Sequence, residues 1–343
     1  MAASFVERLL ARDVAMDLGT ANTQIYVRHR GVILDQPSVV CLRRSGNTLA
    51  ARVEAVGERA QALLGREPQH LEAIRPLRHG VIADYHIAEL MMRQFVAMSR
   101  VNSLFARRRE LTLCVPSGAT ALERRAVREA AMGTVASRVR LIDATLAAAF
   151  GAGLPVTEAV GSMVIDIGGG TTTVAIVALG GVVYQASVRV GGDDFDEAIV
   201  NHVRNLHGIL LGLQTAEYVK KEVGAASRCA ARQVVQVVGR CVGDGMPREV
   251  KLDSDVIADA LAVPMNQVVS AVKAALENAP AELITDIAHR GAVLTGGGAL
   301  LANIPQRLLD ETGLRTQVAK HPLTCAIRGA GEGMDRLQME ADA

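Results

Sequence analysis

Two acids, Asp17 and Asp166, each stand two residues before a glycine turn followed by threonine: "DLGTANT" (17–23) and "DIGGGTT" (166–172). A third glycine run, "LTGGGALL", occupies 294–301. Glycine reaches positive φ without steric cost and lets a ligand touch bare backbone. Backbone N–H groups and the hydroxyls of Thr20, Thr23, Thr171 and Thr172 could therefore line an anion-binding nest for phosphate groups. Carboxylates beside that much negative charge are well placed only if a divalent cation accompanies it. Mg²⁺ suits the pattern, since it takes one or two carboxylates plus phosphate oxygens and keeps several waters. The third run would let backbone approach a flat base or a ribose. Each turn alone is weak evidence, since most glycine turns are only turns, and 294–301 alone could simply be a strand packed closely on a helix. All three, in this order and widely separated, favour the nucleotide reading. No Gly-x-x-x-x-Gly-Lys-[Ser/Thr] and no Gly-x-Gly-x-x-Gly after the first strand is present, which disfavours a P-loop or Rossmann site.

The flanks of these turns are β-branched and apolar, so Val164–Val177 reads as two short buried strands around a turn. The segment 14–44 reads as several strands with turns at Gly19 and Gly31. A helix is expected around Asp84–Met98, a buried strand at 110–118, an amphipathic helix after it, a strand at "RVRLID" and an Ala-rich helix over 144–152. The order then repeats. A hairpin at 163–190 precedes a helix at Asp193–His207, further helices between 214 and 289, and a strand-turn-helix over 291–311. Two halves that each open on an Asp-bearing Gly/Thr hairpin imply a duplicated α/β fold with a cleft between the halves.

Composition narrows the function further. Half of the 343 residues are hydrophobic but only 3% are aromatic, so the core must be built from Ala, Val, Leu and Ile. Thirty-seven basic residues against thirty-six acidic ones leave a formal charge of +1, which removes any global electrostatic case for nucleic acid. Five cysteines with no Cys-x-x-Cys pairing suit a reducing cytosol rather than a disulfide scaffold or zinc site. No apolar run approaches the roughly 20 residues of a membrane span, and the N-terminus lacks a signal-peptide pattern. A cytoplasmic location is expected.

The ordered set "DLGTANT", "VIDIGGGTT" and "VLTGGGALL" resembles the phosphate-1, phosphate-2 and adenosine motifs of the actin and heat-shock-chaperone ATPase superfamily. Within it the chain resembles the MreB family of bacterial actins nearly end to end, through "GVILDQPSVV", "AIRPLRHGVIAD", "VPSGATALERRAVREAA", "VGGDDFDEAIVNHVR", "TAEYVKKEVGAA" and "HPLTCAIRGAGEGMD". The resemblance implies an α/β, actin-like fold of four subdomains around a nucleotide cleft. Their approximate boundaries are 1–36, 75–159 and 326–343 (IA), 37–74 (IB), 160–195 and 259–325 (IIA), and 196–258 (IIB). It implies ATP and Mg²⁺ as ligands. Thr20, Ala21 and Asn22 would meet the phosphates from one side and Gly168, Gly169 and Gly170 from the other. Asp17 and Asp166 would hold the hydrated Mg²⁺. Glu217, Lys220 and Glu222 would line the adenosine pocket, with Gly296, Gly297, Gly298 and Ala299 behind it. Glu217 and Lys220 share a helical face, and an i, i+3 ion pair is the plain alternative for them.

Two positions depart from the family pattern. "LIDATLAAAFGAG" aligns with a stretch that ordinarily reads Ile-Glu-Glu-Pro before the alanines, so Ala144 replaces the glutamate expected to position the attacking water. Thr173 stands where a glutamate is usual. Losing a positioned base costs about 10²–10⁴ in rate. The expectation is ATP binding with slow or absent hydrolysis, with Asp143 as a candidate substitute.

The stripe Phe5, Val6, Leu9 and Leu10, flanked by Arg8 and Arg12, could lie in a membrane interface, as could Leu104 and Phe105 before three arginines. A frayed terminus and a solvated loop are the alternatives, but both sites match membrane contacts of the family. The resemblance further implies head-to-tail self-assembly, the inner face of the cytoplasmic membrane and membrane-bound cell-wall elongation proteins as partners, and no nucleic acid. Two rival readings remain: a hydrolysis-impaired paralogue that copolymerises with a standard MreB, and a small-molecule kinase of the same superfamily. The kinase would need a catalytic Asp or Glu poised at a substrate pocket, and Ala144 argues against that.

Overall fold

The computed structural model of the chain describes residues 14–43, 52–99, 110–132, 136, 138–228 and 232–333. They divide into two units. Unit 1 takes residues 1–159, 178–182 and 324–343, and unit 2 takes 160–177 and 183–323.

Unit 1 opens with β1 (Val14–Leu18), β2 (Asn22–Val27) and β3 (Gly31–Pro37). Then come β4 (Val40–Arg43), β5 (Arg52–Val56), the single-turn α1 (Glu58–Gln61), β6 (Leu71–Ile74), and the short pair β7 (Leu77–Arg78) and β8 (Val81–Ile82). Helix α2 (Tyr85–Met98), β9 (Glu110–Val115), α3 (Ala121–Met132), β10 (Arg138–Asp143) and α4 (Ala144–Gly151) follow. Local chemistry fixes the helix starts. The Asp84 carboxylate accepts from Ile87 N at 3.0 Å, and Thr120 and Glu123 cap α3 reciprocally. The main sheet has the order β10-β9-β1-β2-β3, with β1 antiparallel to β2 and parallel to β9. Strand β1 is buried nearly throughout, as a central strand covered on both faces must be. Its core joins Met16, Ile25, Leu111, Leu113 and Leu141 to Phe95. Strands β5-β4-β6 form a separate small sheet.

Unit 2 repeats the design. Its strands are β11 (Ser162–Ile167), β12 (Thr172–Ala178), β13 (Gly181–Val188), β14 (Ile209–Leu210), β15 (Val234–Cys241), β16 (Pro247–Asp253), β17 (Ala292–Thr295) and β18 (Thr316–Val318). Its helices are α5 (Gly192–His207), α6 (Leu213–Val223), α7 (Ser254–Ala260), α8 (Ala262–Asn278), α9 (Ala281–Arg290) and α10 (Ile304–Thr312). The main sheet runs β13-β12-β11-β17-β18. Strand β11 is antiparallel to β12 and parallel to β17, which is parallel to β18. Read from the other edge, this is the order and sense of unit 1, with β11 in the place of β1. The duplication expected from the two Asp-bearing hairpins is therefore present in the strand pairing itself.

The sequence reading placed only helices between 214 and 289. Two strands interrupt them: β15 and β16 pair antiparallel and join β14 in a three-stranded sheet. The cause is period-2 patterning in "VVQVVGRC", where Val235 and Val237 face the core while Val234 and Val238 are exposed.

The last helix, α11 (Cys325–Glu332), returns to unit 1 and crosses α4 at close range. Small residues make that approach possible. A Cβ on Gly329 would collide with the Ala147 carbonyl oxygen, and one on Gly151 with the Cys325 carbonyl oxygen. Gly329→Ala should therefore lower stability by about 1–3 kcal/mol, the usual cost of overpacking. Thermal denaturation checks this, and an unchanged Tm would contradict the close-packed crossing.

Candidate functional site

The first turn is built by unit 1. Gly19 N donates to Asn22 O at 3.0 Å, closing a tight loop after β1. The Ser38 hydroxyl donates to Gly19 O at 2.7 Å, and Ser38 N to Ala21 O at 2.8 Å. Thr20 is buried, and its hydroxyl accepts from Gly80 N at 3.0 Å, which ties the turn to the β7–β8 connection. Ala21 and Asn22 are exposed at the tip, and the Asn22 amide donates to Asp35 at 2.7 Å. Asp17 lies half-buried on β1, paired in register with Gln24 and Cys114.

Unit 2 builds the second turn with the same internal bond: Gly168 N donates to Thr171 O at 2.8 Å. Its outer support differs. Gly192 N donates to Gly168 O at 2.9 Å and Asp193 N to Gly169 O at 2.7 Å, so the first turn of α5 backs the glycines. A Cβ on Gly191 would lie 2.7 Å from the Gly168 and Gly169 carbonyl oxygens, so this backbone-on-backbone contact requires glycine.

The third run closes on the second. Thr295 donates to Asp166 at 3.0 Å from the neighbouring strand β17. Gly296 has φ +79°, and a Cβ there would lie 2.7 Å from Asp166 Oδ1. Gly298 packs bare against the Ile167 side chain, at the start of a 3-10 turn (Gly297–Leu300) that holds Ala299 buried. Burial pushes the Asp166 carboxyl above the ordinary carboxylate range, and the Thr295 hydroxyl offsets part of that rise.

Two hydroxyls expected to face a ligand do not. Thr23 is fully buried and shares a hydrogen bond with Ser38 at 2.9 Å, while Thr172, also fully buried, donates to Val190 O at 2.8 Å. Both hold their hairpins together from within. Thr173 is buried too, 3.2 Å from the Ser187 hydroxyl.

Helix α6 carries Glu217, Lys220 and Glu222. Glu217 pairs with Lys221 at 2.7 Å and Glu222 is exposed. Lys220 reaches α5, donating to Asp196 at 2.9 Å and to Gly192 O at 2.8 Å. Asp196 escaped the sequence reading. The signal for it was an acid on the face that also carries Ile199 and Val203, where a buried carboxylate requires a cation partner. Asp143 is the N-cap of α4: its Oδ1 accepts from Thr145 N at 2.9 Å, Leu146 N at 3.0 Å and the Ser117 hydroxyl at 2.6 Å. Ala144 is the first residue of that helix, half-buried. Phe5, Leu9, Leu10, Leu104 and Phe105 lie outside the described residues.

A family model described as MreB/Mbl protein matches residues 11–342. The chain belongs to the MreB/Mbl family. It is 49% identical over 331 residues to the cell shape-determining protein MreB of Escherichia coli (strain K12), covering 96% of this chain and 95% of that one. It is 38% identical over 329 residues to Mbl of Bacillus subtilis (strain 168), covering 96% and 97%. Among solved structures it resembles MreB5 of Spiroplasma citri bound to AMPPNP, with TM-score 0.88 and 33% identity over 94% of this chain and 96% of that one. A MamK double helical filament, 20% identical with TM-score 0.78 over 95% and 100% of the two chains, shares the fold. The actin-like fold expected of an MreB relative is thus present, with its two sheets built to one plan.

The environment of Asp196 gives a pH prediction. Burial raises its carboxyl to about 6, against the opposing pull of Lys220. The unfolded value is about 3.9. Between the two, the native state binds more protons than the unfolded state, so this group makes stability fall as pH rises from about 4 through 6. Asp196→Asn should remove that contribution, so chemical denaturation across this range should show a more positive slope of stability against pH than in the parent. Identical slopes would contradict the assignment.

Proposed function

We propose that this MreB relative binds ATP with Mg²⁺ and that ATP-loaded copies join head to tail into filaments on the inner face of the cytoplasmic membrane. There they act with membrane-bound cell-wall elongation proteins to direct rod shape. The observation that carries the reading is the repeated turn: Gly19 N to Asn22 O and Gly168 N to Thr171 O, each two residues after an Asp. Thr20, Ala21 and Asn22, with Gly168, Gly169 and Gly170, would meet the phosphates through main-chain N–H groups. Glu217, Lys220 and Glu222 would line the adenosine with Gly296, Gly297, Gly298 and Ala299. The MreB5 structures with AMPPNP and with ADP, at 33% identity, support a nucleotide as the ligand.

The residues present suit Mg²⁺. Among the described residues no three His, Cys, Asp or Glu side chains converge to hold a metal by themselves. A cation placed by Asp17 and Asp166 would complete its shell with phosphate oxygens and water, as Mg²⁺ does. It would neutralise phosphate charge, and it would favour the ionised form of Asp166 that burial disfavours.

Hydrolysis in this reading is slow. The Ala144 side chain offers no polar atom that could orient a water, and Asp143 is engaged by two backbone N–H groups and the Ser117 hydroxyl as a helix cap. Attachment would be peripheral, through the apolar residues Phe5, Leu9, Leu10, Leu104 and Phe105 beside their arginines. Such weak anchors gain strength by avidity along a filament.

The test is sedimentation with anionic liposomes in ATP–Mg²⁺, with phosphate release followed in the same tube. Pelleting that depends on liposomes, with little phosphate released, is expected. Ala144→Glu should raise release by about 10²–10⁴-fold if position 144 is the missing base. Brisk release by the parent would contradict the slow-hydrolysis reading. A chain that stays soluble alone but pellets with a standard MreB would favour the copolymerising paralogue, a reading prompted by Ala144 and Thr173.

A further inference from the structure

We propose that Asp196 is a positioning residue: its ion pair with Lys220 latches α6 to the turn of α5 that backs Gly168–Gly170, and so sets the spacing between the adenosine and phosphate ends of the site. This rests on the ATP reading above and assigns the Lys220 ammonium a task within the protein.

The geometry is specific. Lys220 Nζ lies 2.9 Å from both carboxylate oxygens of Asp196 and donates to Gly192 O at 2.8 Å. The two side chains are only 15% and 10% exposed. An ammonium has three donors and no acceptor; Asp196 Oδ2 and Gly192 O accept from two of them, and the aliphatic stem is the part that would face adenosine. Gly192 in turn donates to Gly168 O and Asp193 to Gly169 O, so two hydrogen bonds in series connect α6 to the glycine turn. The C-terminus of α6, one turn beyond Lys220, is tied as well. Ala302 N donates to Gly224 O at 3.1 Å and Ala226 N to Ala302 O at 2.8 Å, just past the third glycine run. The last turn of α6 is therefore held by two segments at once, the one behind the phosphate turn through Lys220 and the one behind Gly296–Ala299 through Gly224.

Energetics favour a positioning role over a stabilising one. A buried ion pair seldom outperforms well-packed apolar residues of the same volume, because desolvation offsets the attraction. What it supplies is one fixed distance, here between two elements that must meet one ligand. The charged groups facing Asp196 are Lys220 and Glu217 from α6 and Asp193 from its own helix.

The experiment is a titration of the full chain with a fluorescent ATP analogue and Mg²⁺, for the parent, Asp196→Asn, Lys220→Gln and the double variant. The double variant removes both charges together and leaves no unpaired buried ion, and thermal denaturation verifies that it folds. Each single variant should bind about tenfold more weakly, the worth of one charged hydrogen bond, and the double variant no more weakly than either. As pH falls through about 6, parent affinity should drop towards that of Asp196→Asn, whose own profile reports the protonation of the ligand and of the other acids of the site, Asp166 among them. Multiplying losses in the double variant would mean that Lys220 touches the nucleotide directly, and would overturn the latch. Variants that bind like the parent, or a parent-to-variant ratio independent of pH, would overturn it too. A parent that does not bind the analogue would refute the ATP reading itself.

Discussion

The contact on which unit 2 depends is backbone laid against backbone. Gly191 sits on Gly168 and Gly169, Gly296 on Asp166 and Ile167, and Gly298 on the Ile167 side chain, at distances a Cβ would violate. These contacts let β11, the start of α5 and the segment after β17 converge with no side chain between them. What remains at the convergence is main-chain N–H and C=O together with Asp166, to which Thr295 donates, and Asp194, whose carboxylate accepts from Gly191 N at 2.8 Å. A surface of that kind binds charge and accepts close approach, and apolar packing elsewhere in the unit keeps it in place. The buried cluster around Ile165, Ile167, Phe195, Ile199 and Leu294 lies directly beneath it.

Duplication gave both units the same turn and different supports. In unit 1 a side chain does the anchoring, with Ser38 holding Gly19 O and Thr23 together. In unit 2 the peptide N–H groups of Gly192 and Asp193 take that part. The second arrangement brings a helix N-terminus, with its partial positive charge, against the carbonyl oxygens of the turn. It also places Asp196 one helical turn further on, within reach of Lys220. The two halves thus resemble each other in path and differ in what the turn is connected to: the turn of unit 2 is joined through Gly192 and Lys220 to α6.

Much of this was legible in the sequence, and for physical reasons. The hairpin over Val164–Val177 announces itself because β-branched runs flank residues that only a turn tolerates, and α2 and α3 because their caps and apolar stripes agree. The three glycine turns were readable as close-approach sites through their number and order, since each alone could be an ordinary turn. Strands β15 and β16 went unread, although the alternation of Val235 and Val237 with polar or exposed neighbours carries the signal. The inward turn of Thr23 and Thr172 was not readable either. Adjacent residues of a strand point to opposite faces, and which hydroxyl faces in depends on partners such as Ser38 and Val190, distant in sequence. The Asp196–Lys220 pair joins residues 24 apart on different helices, a distance no local pattern spans.

The most direct measurement is hydrogen exchange on the full chain, with and without ATP–Mg²⁺, followed by peptide mass. If these turns hold the nucleotide, exchange should slow at 19–22, 168–171 and 296–299 and along 217–222, while β15 and β16 remain unaffected. Unchanged exchange at all three glycine segments under saturating ATP–Mg²⁺ would contradict the account, because the exposed N–H groups that define the site would then be meeting only water.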